Sequence, residues 1–331
     1  MHTIPLGRTD VAVSQLALGC MLMGTLTDEA DSFAMLDRYL AAGGTFLDTA
    51  DCYAWWPGPE YTGGESESLL GRWFARTGRR DEVFLATKGS AWVADPDAAR
   101  AGRLTDREKY AGAGADTLRH ALDGSLRRMG VDHVDLYYVH VDDRHTPLEE
   151  TLEALAGLVA AGKTRYLGWS NVPTWRLESI RQLCDRHGWP SPVAVQQEHS
   201  YLRRHPSRDN LSIVDNQQLA YLRDHDDVTL IAYSPILKGV YDDVRKQRDL
   251  AQMQSYQGAD TDARLDTVAK VAAELGVSGS QLVLAWLLHQ RAPERVALIG
   301  PRTLTQYDEL IAARDIRLDD DVLTALDAAG A

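Results

Sequence analysis

Eight short apolar runs, most of them followed by an amphipathic stretch of helical period, set the strongest limit on how this chain folds. The runs are Gln15–Gly19, Thr45–Thr49, Val83–Thr87, Val134–His140, Arg165–Trp169, Val193–Gln197, Thr229–Tyr233 and Val296–Ile299. They are almost continuously apolar, as strands of a parallel sheet covered on both faces should be. The segments between them end on helix stop signals. Asp28–Ala42 runs into Gly43-Gly44, Glu65–Thr77 into Gly78, Asp116–Met129 into Gly130, Leu148–Ala161 into Gly162 and Thr174–His187 into Gly188. Glycine past the last turn takes the left-handed backbone that closes a helix. Further helical patterns cover Ser212–Asp224, Arg264–Leu275, Ser280–Gln290, Leu304–Ala313 and Asp319–Ala328.

Strand–helix alternation repeated eight times favours closure into a (β/α)₈ TIM barrel over an open doubly wound sheet. A chain of 331 residues suits one such barrel, and no composition shift or Ser/Gly-rich linker divides it, so residues 1–331 are read as a single domain. Thr3–Val13, with Gly7 and Thr9-Asp10 as turn residues, is expected to form a hairpin before the first barrel strand. Three connections are long: Ala50–Gly64, Gly89–Ala115 and Pro235–Ala263. All three follow a strand, which puts them on the C-terminal face, where barrels build their sites.

Thirty-five basic against 48 acidic residues give a net charge of -13, which argues against nucleic-acid and polybasic membrane-surface roles. Cys20, Cys52 and Cys184 lack CxxC spacing, so no disulfide framework or zinc cluster is implied. The opening Met1-His2-Thr3-Ile4-Pro5 has no basic start followed by an apolar run, and no run reaches the ~18 residues of a membrane span. The expected compartment is the cytoplasm, and the Asn210-Leu211-Ser212 sequon is expected to stay unglycosylated.

In a barrel, polar residues at strand C-termini face one shared cavity. Asp48, with Tyr53 shortly after it, Lys88 and His140 stand at the ends of the second, third and fourth runs. A buried lysine and a buried aspartate need each other, because either charge alone is costly. A Lys88–Asp48 pair beside Tyr53 is expected to lower a phenol pKa of ~10 and so tune it as a proton donor. His140 could polarise a carbonyl or shuttle the proton. Taken singly, each residue has an ordinary structural role available; the combination at three adjacent strand ends is what points to chemistry.

The segments Phe46–Tyr53, Leu85–Lys88, Asp135–His140, Gly168–Asn171 and Ala232–Pro235, in this order, resemble the signature segments of the aldo-keto reductase superfamily. The resemblance extends from Leu6-Gly7-Arg8-Thr9 to Gly300-Pro301-Arg302-Thr303, nearly the whole chain. It implies an Asp48, Tyr53, Lys88, His140 tetrad that reduces an aldehyde or ketone with NADPH. It also implies that Tyr233 stacks on the nicotinamide while Ser170, Asn171 and Gln196 hold its carboxamide. Asn and Gln supply the mixed donor and acceptor that an amide needs. Ser234, Pro235, Ile236, Leu237 and Gly239 are expected under the pyrophosphate. Gly300, Arg302, Gln306 and Glu309 are expected at the adenosine end, where the forked Arg302 cation suits the 2′-phosphate of NADPH. Where the family often has an asparagine after that glutamate, this chain has Leu310.

Trp55, Trp56 and Trp92 are expected to wall the substrate pocket without selecting one ring type. Gly112-Ala113-Gly114 has no strand before it and reads as loop, and Asp142-Asp143-Arg144-His145 reads as a solvated loop of mixed charge with some metal-ligand character. An NADPH-binding regulatory subunit with little turnover is the main alternative. A barrel glycosidase would need two facing carboxylates where His140 and Tyr233 stand, and a Lys88 Schiff-base aldolase would need a free amine. No metal and no macromolecular partner are implied; the partner is a small carbonyl compound.

Overall fold

The structure is a computed structural model that describes residues 1–205, 211–249 and 251–330. Asn210 of the sequon falls outside them. The hairpin pairs β1 (Thr3–Pro5) with β2 (Ala12–Ser14), antiparallel. Eight strands then follow: β3 (Leu16–Gly19), β4 (Phe46–Asp48), β5 (Phe84–Gly89), β6 (Val134–Val139), β7 (Thr164–Ser170), β8 (Ala194–Glu198), β9 (Thr229–Tyr233) and β10 (Arg295–Ile299). They pair in parallel in sequence order, and β10 returns to β3 to close the barrel. All eight expected strands are present, each within two residues of its expected ends.

The helices are α1 (Glu29–Ala41), α2 (Glu65–Thr77), α3 (Pro96–Arg100), α4 (Asp106–Lys109), α5 (Ala115–Met129), α6 (Leu148–Ala160), α7 (Thr174–His187), α8 (Asn216–Asp224), α9 (Val244–Asp249), α10 (Thr261–Leu275), α11 (Gly279–His289), α12 (Leu304–Ala312) and α13 (Asp320–Ala328). Their ends follow local chemistry. Asp28 caps α1 by accepting from the Asp31 amide, and Ser278 with Gln281 forms a capping box on α11. Two helix starts differ from expectation by more than one residue, and α10 is one of them, beginning at Thr261 rather than Arg264. Helix α8 starts at Asn216, because Ile213 bridges to Glu198 and Asp215 is the residue that caps. The long connections are not bare loops, since α3 and α4 occupy the second and α9 the third.

Apolar side chains on the outer faces of the strands pack against α1, α2 and α5–α7 in one large core. A second core fills the barrel itself. Phe46, Phe84, Ala86, Leu136, Tyr138, Ala194, Ile231 and Val296 point inward and meet Ile4, Leu6 and Val13 of the hairpin, which plugs the N-terminal end. Gly7 makes that plug fit. It has φ +55°, and a Cβ there would lie 2.3 Å from the Asp227 carbonyl. Among the described residues no single helix is long and apolar enough to cross a membrane.

Candidate active site

The open end of the barrel is shaped by backbone pairing that continues past the strand ends. The Thr49 amide donates to the Ala86 carbonyl (2.9 Å), Asp51 to Lys88 (3.1 Å) and His140 to Gly89 (2.8 Å). These bonds bring the ends of β4, β5 and β6 to one level. Tyr53 is turned back over them, its carbonyl accepting from the Gly64 amide at 2.9 Å. Two glycines make room for large rings here. A Cβ on Gly168 would strike the Tyr138 ring at 2.5 Å, and one on Gly89 would strike the Tyr137 hydroxyl.

The four tetrad residues come together. Lys88 is fully buried, and its Nζ donates to Asp48 Oδ1, to the Thr49 carbonyl (2.8 Å) and to the Tyr53 hydroxyl (3.2 Å). The other Asp48 oxygen accepts from Gln196 Nε2 at 2.7 Å. The Tyr53 and His140 rings meet edge to face, with centroids 5.5 Å apart. The expected lowering of the Tyr53 pKa is corrected by the structure: burial and then the Asp48 carboxylate push the phenol well above its ordinary range. Lys88 is tied to Asp48, so its charge is largely offset at the phenol. Burial, reinforced by the Lys88 ammonium, holds the His140 imidazole well below its ordinary range, so it is neutral at pH 7.

Residues expected around the nicotinamide are already knitted to one another. Asn171 Nδ2 donates to the His140 carbonyl (2.8 Å) and to Ser170 Oγ (3.1 Å). Asn171 Oδ1 accepts from the Tyr233 hydroxyl (2.8 Å), and Ser170 Oγ donates to the Gln196 carbonyl (2.8 Å). Four non-glycine residues at the mouths of β7 and β9 have left-handed backbone: Asn171 (φ +55°), Ser234 (+51°), Leu237 (+46°) and Lys238 (+59°), followed by Gly239 (+80°). Such strain persists where the surroundings impose it, and it clusters at ligand cradles. Leu237 itself is fully buried, so only its backbone is on offer; the Pro235 carbonyl already accepts from Ser200 Oγ.

At the mouth of β10, Gly300 is exposed and a Cβ there would meet only the Gly19 carbonyl at 3.9 Å. Arg302 stands exposed at the start of α12, and among the described residues no carboxylate lies within ion-pair distance of it. Its amide donates to Gln306 Oε1 (2.9 Å), a bond that braces the turn. Glu309 is already engaged within the protein. It accepts from Ser278 Oγ at 2.6 Å and so braces the start of α11. Leu310 is buried in the main core.

Trp56 sits edge to face with Tyr53 (6.1 Å) and with Trp55 (6.0 Å), and the Lys109 ammonium lies 5.3 Å from the Trp55 ring. Trp92 does not join this pair. It lies under the Arg128 guanidinium (5.6 Å) and against Gly63. A cleft of about 790 Å³ opens beside Asn171 and Ser90, walled by Tyr110, Arg107, Val141 and Arg144. Asp143 in that wall is used structurally, accepting from the Ala113 and His145 amides at 2.9 and 2.8 Å, which fits the reading of 142–145 as loop.

Sequence reasoning missed two buried carboxylates beneath Tyr53. Glu67 is fully buried and accepts from Thr87 Oγ1 (2.5 Å) and Arg128 Nε (2.7 Å). Asp51 is buried with neither oxygen in a well-formed hydrogen bond, and burial and Glu67 push its carboxyl up to about 8. Glu67 sits in the first turn of α2, where an acid is unremarkable to a sequence reader; Arg128, 61 residues away, carries the only signal and it is nonlocal.

The sequence profile of the Aldo/keto reductase family matches residues 15–331. The chain belongs to the aldo/keto reductase family. It is 32% identical to the uncharacterized oxidoreductase YrpG of Bacillus subtilis over 97% of this chain and 93% of that protein. It is 31% identical to the aldo-keto reductase yakc [NADP(+)] of Schizosaccharomyces pombe, over 93% of this chain and 86% of that one. Among solved structures, the thermostable aldo-keto reductase Tm1743, crystallised with the inhibitor epalrestat, superposes with a TM-score of 0.72. That pair is 27% identical and the alignment covers 99% of this chain and all of the other. Aldo/keto reductases are oxidoreductases that act on small carbonyl compounds and typically use a nicotinamide cofactor.

Proposed function

We propose that this aldo/keto reductase uses NADPH to reduce an aldehyde or ketone to the alcohol, with Tyr53 as the proton donor. The observation that carries this reading is the Asp48–Lys88–Tyr53 array: a buried ammonium held by a carboxylate and donating to a phenol at 3.2 Å. When bound, NADPH supplies the hydride. The fit of the site to it rests on the left-handed cradle at Ser234–Gly239 and on the exposed Arg302 guanidinium, which among the described residues has no carboxylate within ion-pair distance and makes only a long bond (3.4 Å) to the Leu26 carbonyl. Arg302 would hold the 2′-phosphate, Gly300 leaving the backbone open beside it. Asn171, Gln196 and Ser170 would hold the carboxamide, with Tyr233 against the ring. The name of the fission-yeast relative, which carries NADP(+), points the same way.

The protein's own groups divide the work as follows. The raised phenol pKa keeps Tyr53 protonated at every working pH, which is the state a donor needs. As the carbonyl oxygen gains charge, the proton passes from Tyr53 to it. Lys88, already donating to the phenol oxygen, stabilises the phenolate left behind, and Asp48 keeps Lys88 aimed. Neutral His140 orients the oxygen by donating a hydrogen bond. Trp55 and Trp56 would exclude water on one side of the reacting carbonyl, with Trp92 set behind the Tyr53 loop. Oxidation of NADPH across a panel of aldehydes and ketones tests this. Turnover of at least one carbonyl is expected, and tight NADPH binding with none turned over would favour a regulatory role.

A further inference from the structure

Asp51, Cys52 and His140 present one ligand atom each within 4.8 Å of one another. Among the described residues no other group of His, Cys, Asp and Glu side chains does this with three members. The separation of Cys52 Sγ from His140 Nδ1 is 3.6 Å. Zinc–ligand bonds of 2.0–2.3 Å at tetrahedral angles place neighbouring ligand atoms about 3.5 Å apart. That pair is therefore already spaced for a metal, and the Asp51 carboxylate has to close by about 1 Å, within the reach of its side-chain rotation.

The second observation is independent of spacing. Asp51 is only 1% exposed and neither of its buried oxygens makes a well-formed hydrogen bond, the adjacent Cys52 amide giving its carboxylate only partial support. Buried carboxylate oxygens are nearly always satisfied, and an ion is one of the few reasons for one to be left open. Cys52 is 5% exposed, while His140 is half-buried and gives the cluster its open side toward the site. Thiolate, imidazole and carboxylate together suit Zn²⁺ above the hard cations. Three protein ligands leave a fourth position for water.

We propose that Asp51, Cys52 and His140 form a Zn²⁺ site that ties His140 to the chain just before Tyr53, denies the imidazole the movement it needs to meet the carbonyl oxygen, and thereby switches the enzyme off. Binding releases the Cys52 thiol proton, and any proton on Asp51, to solvent; no electron moves. The consequence for turnover rests on the proposed reductase function, whereas the site itself does not.

The test uses the full-length protein. Co²⁺ is added as a spectroscopic probe, and Zn²⁺ affinity is read by competition with a chromophoric chelator. Wild type is expected to bind one metal per chain and to show a thiolate-to-cobalt charge-transfer band. Cys52→Ala should lose the band and bind Zn²⁺ at least about tenfold more weakly, a change of about 1.4 kcal/mol. Asp51→Asn should weaken Zn²⁺ while keeping the band. Cys52→Ser, with its fold checked by circular dichroism, serves if the alanine variant does not fold. A band and affinity unchanged in the Cys52 variants, or no stoichiometric binding by wild type, would overturn the site. Zn²⁺ bound there without loss of carbonyl turnover would overturn the switch. If no carbonyl is turned over in any condition, the reductase reading has failed and the cobalt spectrum still decides the site.

Discussion

The two ends of this barrel are made of different chemistry. The N-terminal end is closed by a hairpin whose Ile4, Leu6 and Val13 are at most 1% exposed and pack on Phe46, Phe84 and Ala86. The C-terminal end buries Asp48, Asp51, Glu67 and Lys88, and holds Asn171, Ser234, Leu237 and Lys238 in left-handed backbone. One end is built for burial of apolar surface. The other carries charge and strain that burial alone would select against. Stability at the first end offsets the cost of function at the second, so substitutions at the two ends should separate stability from activity.

Four substitutions would break or sharpen that contrast. Lys88→Met should have the largest effect, removing turnover and costing about 3–5 kcal/mol, because Asp48 is left as an uncompensated buried charge; chemical denaturation alongside an NADPH-oxidation assay reads both. Loss of activity with no loss of stability would deny the buried pair its structural part. Leu6→Ala at the sealed end should cost about 2–5 kcal/mol while leaving turnover of the folded protein unchanged. Arg302→Ala should weaken NADPH by about 1.5–3 kcal/mol, the range of a hydrogen bond to a charged group, with little change for NADH; equal losses in fluorescence titrations of the two would remove the 2′-phosphate role.

The smallest effect is a pH limb. Burial, with Arg295 beside it, holds the His199 imidazole well below its ordinary range, and its Nε2 accepts from Arg295 Nη1 at 2.6 Å. The unfolded chain therefore takes up a proton below about pH 6.5 that the folded chain refuses. The stability associated with the neutral ring is present above that pH and is lost as pH falls, by up to about 1.4 kcal/mol per unit. His140, also held neutral by burial, contributes to the same limb, so His199→Gln should reduce its slope in denaturation measured from pH 7 to 5 without abolishing it, and an unchanged slope would assign it to other groups.

The fold was legible because its signals are local. Continuous apolar runs marked the strands, and Gly78, Gly130 and Gly188 marked helix ends where the structure finds left-handed caps. That Asp48, Tyr53, Lys88 and His140 would meet was legible because strand ends in a barrel converge. What stayed hidden depends on contacts between distant residues. Glu67 and Arg128 pair across 61 positions, and Asp51 is orphaned only once the loop above it has closed. The direction of the Tyr53 pKa was missed for the same reason: a lysine nearby suggests lowering, and only the depth of burial and the Asp48 contact reverse it.

The most direct test of the account is Tyr53→Phe, which removes one oxygen and keeps the ring beside Trp56 and His140. Turnover of a carbonyl substrate should fall by about 10²–10⁴-fold, the usual contribution of a positioned acid, while NADPH affinity by fluorescence stays within about twofold. A variant that kept most of its turnover would contradict the assignment of Tyr53 as the proton donor.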